Sequence, residues 1–430
     1  MSDLVASDCS RISNPTPEVA AWLSKLARAV VPEAHVIGFR DGARERDEPV
    51  VFCERDGTWW CGRYIGAIRF EGRTLRIQPR FGMAVLEQWI ELALNLAFTE
   101  VSGDLYDHEA FLPQLLARLW SRALVTAGRH GLPALRQDTV HHGPVLRGRL
   151  DVHSSLRERL AGRPGLSSVQ RSRSLQNPVV QAIVAGYASL RRWMGSAQLT
   201  KAIAERAQDL VEHMLSAVPL NAGLPREGEL DRVRYTPITA GYRTAVRLSM
   251  QIARHRGLFH ESTPDGSATG VLLDVAEIWE LFVIACLRAA LPGHEVLHGT
   301  HDVEASDWLL TSESGPKTLG WLKPDALLRL PEGVLIVDAK YKSLRPRWDR
   351  PHGVEREDLY QMGAYLSRFA SEVGKAWLVY PADGEARLPE VVVDGPWRFG
   401  GGQRLGFIAL PTQAESAVDS LRRHTMADVG

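Results

Sequence analysis

The sequence predicts a mixed α+β / α/β protein with a β-rich N-terminal part, a helical middle and a C-terminal core of strands between helices. Three observations carry that expectation. Residues 59–77 alternate apolar and polar around Glu71-Gly72, a hairpin pattern. Residues 177–260 hold successive runs of helical periodicity. Leu322 to Lys342 (LKPDALLRLPEGVLIVDAKYK) reads as two short buried strands joined by a Pro-Glu-Gly turn. A chain of 430 residues supports two or three domains with cores of their own. The expected division is residues 1–150, 151–265 and 266–430, with the polar, turn-rich ESTPDGSATG (residues 261–270) as the linker before the last.

The elements follow in order. Trp59 to Phe70 and Arg73 to Ile77 form the hairpin, and the Trp59-Trp60 pair is expected in the core. Ala84 to Phe98 and His108 to Arg129 read as apolar helices, and Gln137 to Asp151 returns to strand character. Two helices are expected between Asn177 and Ala217 and a third over Thr239 to His260. Val271 to Ala290 has helical spacing at Ile278, Leu281, Phe282 and Ala285, with Glu277 and Glu280 one turn apart and Glu280 inside the apolar run. Val354 to Phe369 reads as a helix carrying Asp358, Gln361 and Tyr365, and Ala376 to Tyr380 as a strand. The first forty residues give no assignable pattern, and no internal repeat is visible.

Composition narrows the function classes. Charged residues balance to a net charge of +0, so no overall basic field favours nonspecific DNA binding. The four cysteines are scattered without a CxxC pair, against a zinc ribbon or a disulfide framework and in favour of a reducing compartment. No stretch is long and apolar enough for a membrane span, and the first residues lack the basic and apolar regions of a signal peptide. The cytoplasm is the expected location.

The chemistry concentrates between Asp325 and Lys340. On a strand, Asp338 and Lys340 point to one face and Val337 and Ala339 to the other. Asp325 reaches the Asp338 face if the two strands pair. Burying a carboxylate or an ammonium is costly unless it is paired or binds a metal. Two carboxylates beside a lysine suit a hard divalent cation and an activated water, which is the content of a PD-(D/E)xK nuclease motif. Gln361 and Tyr365, four apart, share a helix face. An ordinary surface ion-pair network around a strand pair is the plainer alternative.

Three other patterns are set aside. His294-Glu295-Val296-Leu297-His298 matches HExxH, but Pro292-Gly293 before it and Gly299 after it leave too little helix for a zinc protease. Val373-Gly374-Lys375 lacks the glycine-rich approach and the Ser/Thr of a phosphate-binding loop, so no nucleotide is expected on this chain. The arginines of Gln170 to Ser174 and Leu190 to Trp193 read as solvated faces.

Several segments together resemble McrC, the nuclease subunit of McrBC-type modification-dependent (type IV) restriction systems. They are Ile278-Trp279-Glu280-Leu281-Phe282, Leu322-Lys323-Pro324-Asp325, Val337 to Lys342 (VDAKYK) and Leu359 to Tyr365 (LYQMGAY). Leu146 to Asp151 (LRGRLD), Gln176-Asn177-Pro178 and the hairpin Gly66 to Arg80 are similar to earlier elements of that family. The resemblance implies a restriction-endonuclease-like C-terminal core and Mg²⁺- (or Mn²⁺-) dependent DNA cleavage in anti-phage defence. Asp325, Asp338 and the Ala339 backbone carbonyl would hold the metal, and Lys340 would position the attacking water. Glu280 would bind a second metal or orient a water, with Glu277 as fallback. Gln361 and Tyr365 would brace the site, and Lys323 and Lys342 would contact DNA phosphates. It further implies a hexameric AAA+ GTPase partner of McrB type that supplies target choice, docked on an N-terminal domain separable from the nuclease. The hairpin arginines Arg69, Arg73, Arg76 and Arg80 are the expected contacts. A non-cleaving activator of an AAA+ ring and a stand-alone DNA-repair nuclease are the alternatives.

Overall fold

The structure, a computed structural model, describes residues 3–29, 36–37, 49–94, 108–163, 165–226, 228–254, 268–299, 302–331, 333–342, 353–369, 373–382 and 393–427. They fall into two units, one of residues 1–101 with 261–430 and one of residues 102–260. This differs from the expected three consecutive domains.

The first unit begins with β1 (Leu4–Ser7), α1 (Pro17–Leu26), β2 (Val36–Ile37), β3 (Val51–Cys53), β4 (Trp59–Cys61), β5 (Tyr64–Phe70), β6 (Arg73–Gln78) and α2 (Met83–Leu94). β5 and β6 are the expected hairpin, and its turn residues Glu71 and Gly72 both have positive φ (44° and 75°), the two-residue turn whose twist suits paired strands. β1 runs parallel to the other edge of β6. Thr16 caps α1 by accepting the Val19 N–H, and Pro17 sits at its first turn, where a missing N–H costs nothing. Trp22, Leu23 and Leu26 are buried in one core with Ile68, Leu75 and Ile77, and the Trp22 indole donates to the Phe70 carbonyl at 2.9 Å. The N-terminal residues therefore build core, although no pattern is assignable to them in the sequence. A four-residue strand is too short to declare a period.

The second unit contains α3 (His108–Ala127), β7 (Leu135–Gly143), β8 (Arg149–Leu150), α4 (Val152–Leu160), β9 (Leu166–Ser174), α5 (Pro178–Met194), α6 (Ser196–Ala202), α7 (Glu205–Leu215) and α8 (Tyr242–Arg254). β7, β9 and β8 form one sheet, so the expected boundary at residue 150 falls within it. The second of the two helices expected between Asn177 and Ala217, over residues 200–215, is broken at Ile203-Ala204, between α6 and α7. α5 and α8 cross closely at Gly186, where a Cβ would meet the Ser249 Cα at 2.8 Å. The residues that resembled family elements act locally here. Asn177 caps α5 by accepting from Val179 and Val180, and Asp151 caps α4 by accepting from Ser154.

The chain returns to the first unit with β10 (Thr269–Asp274), α9 (Val275–Ala290), β11 (Val296–Leu297), β12 (Asp307–Thr311), β13 (Thr318–Leu322), β14 (Ala326–Leu330), β15 (Gly333–Ala339), α10 (Arg356–Arg368), β16 (Val373–Pro381), β17 (Val393–Arg398), β18 (Arg404–Leu410) and α11 (Ala414–Ala427). Val271 to Asp274, expected as helix, is strand: β10 lies between β5 and β2 in the N-terminal sheet, in the order β1-β6-β5-β10-β2. Gly66, at φ 127°, permits that pairing, because a Cβ there would overlap the Val271 carbonyl. Asp274 ends the strand and caps α9, accepting the Ala276 N–H at 3.1 Å. α2 packs along α9 through Trp89, whose ring lies 4.9 Å from Trp279 and 5.4 Å from Phe282. The N-terminal residues therefore share a core with the C-terminal ones. Removing them would strip one side of α9.

The larger sheet has the order β11-β14-β15-β16-β18-β17. β14 and β15 are antiparallel, β16 and β18 continue in parallel, and β17 closes the edge antiparallel. β17, β18 and α11 lie beyond the last strand expected from the sequence. The HExxH segment is not helical; Val296 and Leu297 are the edge strand β11. Among the described residues no helix is long and apolar enough to cross a membrane.

Candidate functional site

β15 is an interior strand, bonded on one edge to β14 and on the other to β16, and Val334 through Asp338 are all buried. With period 2, Val334, Ile336, Asp338 and Lys340 share one face. α10 covers that face: Met362, Tyr365 and Leu366 pack into one core with Leu327, Ile336 and Leu378. Ala326 pairs with Val337, so Asp325, one residue before β14, stands at the level of Asp338. The expected convergence of Asp325 and Asp338 is therefore set by strand register.

A continuous set of polar contacts closes around these residues. Asp325 accepts the Ala339 backbone N–H at 2.7 Å. Lys340 Nζ lies 2.6 Å from Asp338 Oδ2 and donates to Gln361 Oε1 at 2.8 Å. Gln361 Nε2 donates to the Tyr365 hydroxyl at 2.8 Å, and that hydroxyl donates to the Lys323 carbonyl at 3.0 Å. Lys323 leads back through Pro324 to Asp325, so the ring joins two strands and one helix. Gln361 and Tyr365 belong to it because one helical turn aligns them.

Electrostatics set the character of the site. Burial pushes the Asp338 carboxyl up to about 6; Lys340 opposes that rise, while Asp325 and Asp358 add to it. Burial works against the Lys340 ammonium, yet Asp338, Asp325 and Asp358 outweigh it and raise its pKa. Lys340 thus remains a cation among carboxylates. A divalent cation beside Asp325 and Asp338 would relieve the buried negative charge, so the donor set fits one in charge and hardness. Among the described residues no group of three or more His, Cys, Asp or Glu side chains has metal-holding spacing. The groups that would hold an ion here are the two carboxylates and the Ala339 carbonyl, a sparse set of the kind Mg²⁺ completes with water.

The remaining expected residues divide. Glu280 is 3 % exposed on α9, and its carboxylate meets His298 Nε2 at 3.3 Å. Gly299 donates to the Pro324 carbonyl at 3.2 Å, so the Glu280–His298 pair adjoins the turn that carries Asp325. Glu277 is also buried on α9. Lys323 is exposed beside the site. Lys342 is held by Glu355 at 2.6 Å and Asp358 at 3.1 Å, so its ammonium is engaged within the protein. Tyr380 donates to the same Asp358 at 3.3 Å. Of the hairpin arginines, Arg69 is exposed, Arg73 faces Glu18 at 3.6 Å, Arg76 pairs with Asp3 at 3.1 Å, and Arg80 stacks on Phe81 and Tyr341. These four do not form a shared basic row.

Sequence reasoning missed His298, Glu355 and the structural use of Asp358. The HExxH match drew attention to His298 for a helix-borne zinc site, whereas its place beside Glu280 depends on β11 pairing with β14. Asp358 stood on the right helix, one turn before Gln361, and that spacing is the signal that could have found it.

A family model described as "McrBC 5-methylcytosine restriction system component" matches residues 61–381. No curated protein matches the chain. Among solved structures, a chain of the refined half-complex from the tetradecameric assembly of Thermococcus gammatolerans McrB AAA+ hexamers with bound McrC is similar in fold. Its TM-score is 0.52 at 16% identity, with 100% of each chain covered. A chain of the cryo-EM structure of the Thermococcus gammatolerans McrBC complex aligns at TM-score 0.38 and 14% identity, over 67% of this chain and 88% of that one.

Proposed function

We propose, from the premise that this chain belongs to the McrBC family of 5-methylcytosine restriction system components, that it is the metal-dependent DNA endonuclease subunit of such a system. The observation that carries the reading is the closed ring of Asp325, Ala339, Asp338, Lys340, Gln361 and Tyr365 at one end of a strand pair. Two carboxylates and a lysine on neighbouring strands are the donor set of a PD-(D/E)xK nuclease site, and the strand pair β14–β15 that carries them comes after α9 and before α10 and β16 in the chain. The plain alternative, a surface ion-pair network, fits poorly, because Asp338 is 2 % exposed and its carboxyl is pushed up by burial.

Asp325, Asp338 and the Ala339 carbonyl would hold Mg²⁺ or Mn²⁺. Once bound, such an ion polarises the scissile phosphate and lowers the pKa of a coordinated water. Lys340, raised in pKa by its acid neighbours, stays charged and offsets negative charge developing on the phosphate. Gln361 holds Lys340 from one side and is itself held by Tyr365, which fixes the ammonium relative to the Lys323–Asp325 turn. Glu280, with His298 beside it, would orient a water or a second ion from the α9 side.

Target choice and energy would come from an AAA+ GTPase of McrB type. A solved structure of similar fold belongs to an assembly of McrB AAA+ hexamers with bound McrC. Within the second unit, Val140, Val145, Leu146, Leu150, Val152, Leu156 and Leu160 are all exposed on or beside β7, β8 and α4. Apolar side chains concentrated in this way mark an interaction surface. This sheet is a better candidate for the partner contact than the hairpin arginines.

The test is cleavage of duplex DNA carrying 5-methylcytosine by the purified chain, the GTPase partner, GTP and Mg²⁺. Cleavage by the wild type and none by Asp338→Ala, with GTP hydrolysis by the partner still stimulated, is the expected result. Full cleavage by Asp338→Ala would remove the site assignment. Stimulated GTP hydrolysis without cleavage by the wild type would favour a non-cleaving activator.

A further inference from the structure

Because Asp338 and Lys340 turn toward α10, Ala339 and Tyr341 turn the opposite way. Tyr341 is 5 % exposed, and the Arg80 guanidinium lies 4.5 Å from its ring centroid. Phe81 and Trp89 meet the same ring edge-on at 6.3 and 6.0 Å. Asp8 is completely buried and accepts the Arg80 backbone N–H at 2.6 Å, and its charge acts on the Tyr341 hydroxyl. Cys9 Sγ donates to the Tyr341 carbonyl at 3.7 Å, across 332 residues of sequence. Asp8 and Cys9 follow β1, while Arg80 and Phe81 follow β6, so the ends of two paired strands of the N-terminal sheet grip the residue next to Lys340.

This cluster is more polar than packing alone requires. Burial pushes both the Asp8 carboxyl and the Tyr341 hydroxyl above their ordinary values. An apolar plug would be cheaper, whereas a buried, charge-assisted cluster fixes orientation. Its location gives that orientation a use. The Lys340 N–H bonds to the Val379 carbonyl at 2.8 Å, one residue past the end of β15, and Tyr341 is the next residue along the chain.

We propose that Tyr341, clamped by Asp8 and Arg80, is a positioning residue that fixes the end of β15 and with it the Ala339 carbonyl and the Lys340 ammonium. On this view the N-terminal sheet is part of the apparatus that sets the site. The proposal rests on the nuclease reading for its consequence and on the geometry of the clamp for its existence. A displacement of about 1 Å at a reacting group is enough to lower a rate by two orders of magnitude.

The test uses the full-length chain with Tyr341→Phe, which keeps the ring, and Asp8→Asn, which keeps the shape. Single-turnover cleavage with the GTPase partner is expected to fall about tenfold or more, with KM for DNA and the melting midpoint close to wild type. Amide hydrogen exchange at Lys340 and Tyr341 is expected to quicken in both variants. Unchanged exchange at Lys340 overturns the proposal, as does an unchanged rate constant or a rate loss that follows KM or the unfolded fraction. If the wild type does not cleave, the nuclease reading fails by itself, and the exchange at Lys340 alone decides whether the clamp holds the strand.

Discussion

Lys340 Nζ lies 2.6 Å from Asp338 Oδ2, although the two side chains leave one strand two residues apart. The pleat puts them on the same face, and burial brings them together. Isolated, either charge would be costly there. Together, and with Asp325 and Gln361 completing the set, they form a charged site inside an otherwise apolar sheet.

Asp338→Ala and Lys340→Ala separate two roles. The first is expected to abolish cleavage and metal binding, because it removes one of two carboxylates. The second is expected to lower cleavage by roughly 10²–10³-fold, the scale of losing one stabilising group at developing charge, while metal affinity falls far less. Calorimetric titration with Mn²⁺ beside cleavage assays checks both. Equal loss of metal affinity in the two variants would show that Lys340 does not have a separate part.

The pH dependence has a definite sign. Burial, with Asp325 and Asp358 adding to it and Lys340 opposing, pushes Asp338 from 3.8 up to about 6. The folded chain therefore binds this proton more tightly than the unfolded one. That contribution to stability is fully present below about pH 3.8 and is lost as pH rises through about 6. Its size is on the order of 1–3 kcal/mol. Asp338→Asn in chelator is expected to melt higher than wild type above pH 6 and to match it near pH 4. Identical melting profiles from pH 4 to 8 would contradict the assignment. Cleavage should rise over the same interval, since a metal ligand must be deprotonated.

Gly299 packs against the turn that carries Asp325. A Cβ at this position would overlap the Pro324 carbonyl and lie 3.0 Å from the Lys323 carbonyl carbon. Both are backbone atoms, so the turn itself must move. Gly299→Ala is expected to cost about 1–3 kcal/mol, as overpacking does, and to reduce cleavage more than its melting loss explains. An active enzyme with unchanged melting would mean that the turn yields freely.

Deletion of residues 1–101 is expected to leave an aggregating product, because it uncovers Trp279 and Phe282, removes both strands that pair with β10, and takes Cys9, Arg80, Phe81 and Trp89 away from Tyr341. The sequence alone leads to the opposite expectation, that removing the region before about Gly148 spares the nuclease fold, and this deletion decides between the two. Replacing residues 102–260 by a flexible Gly/Ser linker is expected to give a soluble first unit instead. Size-exclusion chromatography and circular dichroism of the two products distinguish these outcomes; a folded, monomeric product of the first deletion would count against the shared core.

The sequence by itself determined what local periodicity can express. Alternation put Asp338 and Lys340 on one face, four-residue spacing put Gln361 and Tyr365 on one helix side, and Glu71-Gly72 marked the β5–β6 turn. Register then carried Asp325 to Asp338 as the strand pair required. Only the tertiary structure decided that β10 belongs to the N-terminal sheet, that His298 stands beside Glu280, that Lys342 is engaged by Glu355 and Asp358, and that Asp8 and Arg80 grip Tyr341. Those contacts join residues far apart in the chain. Their formation depends on closing long loops and matching whole faces, which leaves no period in any one segment.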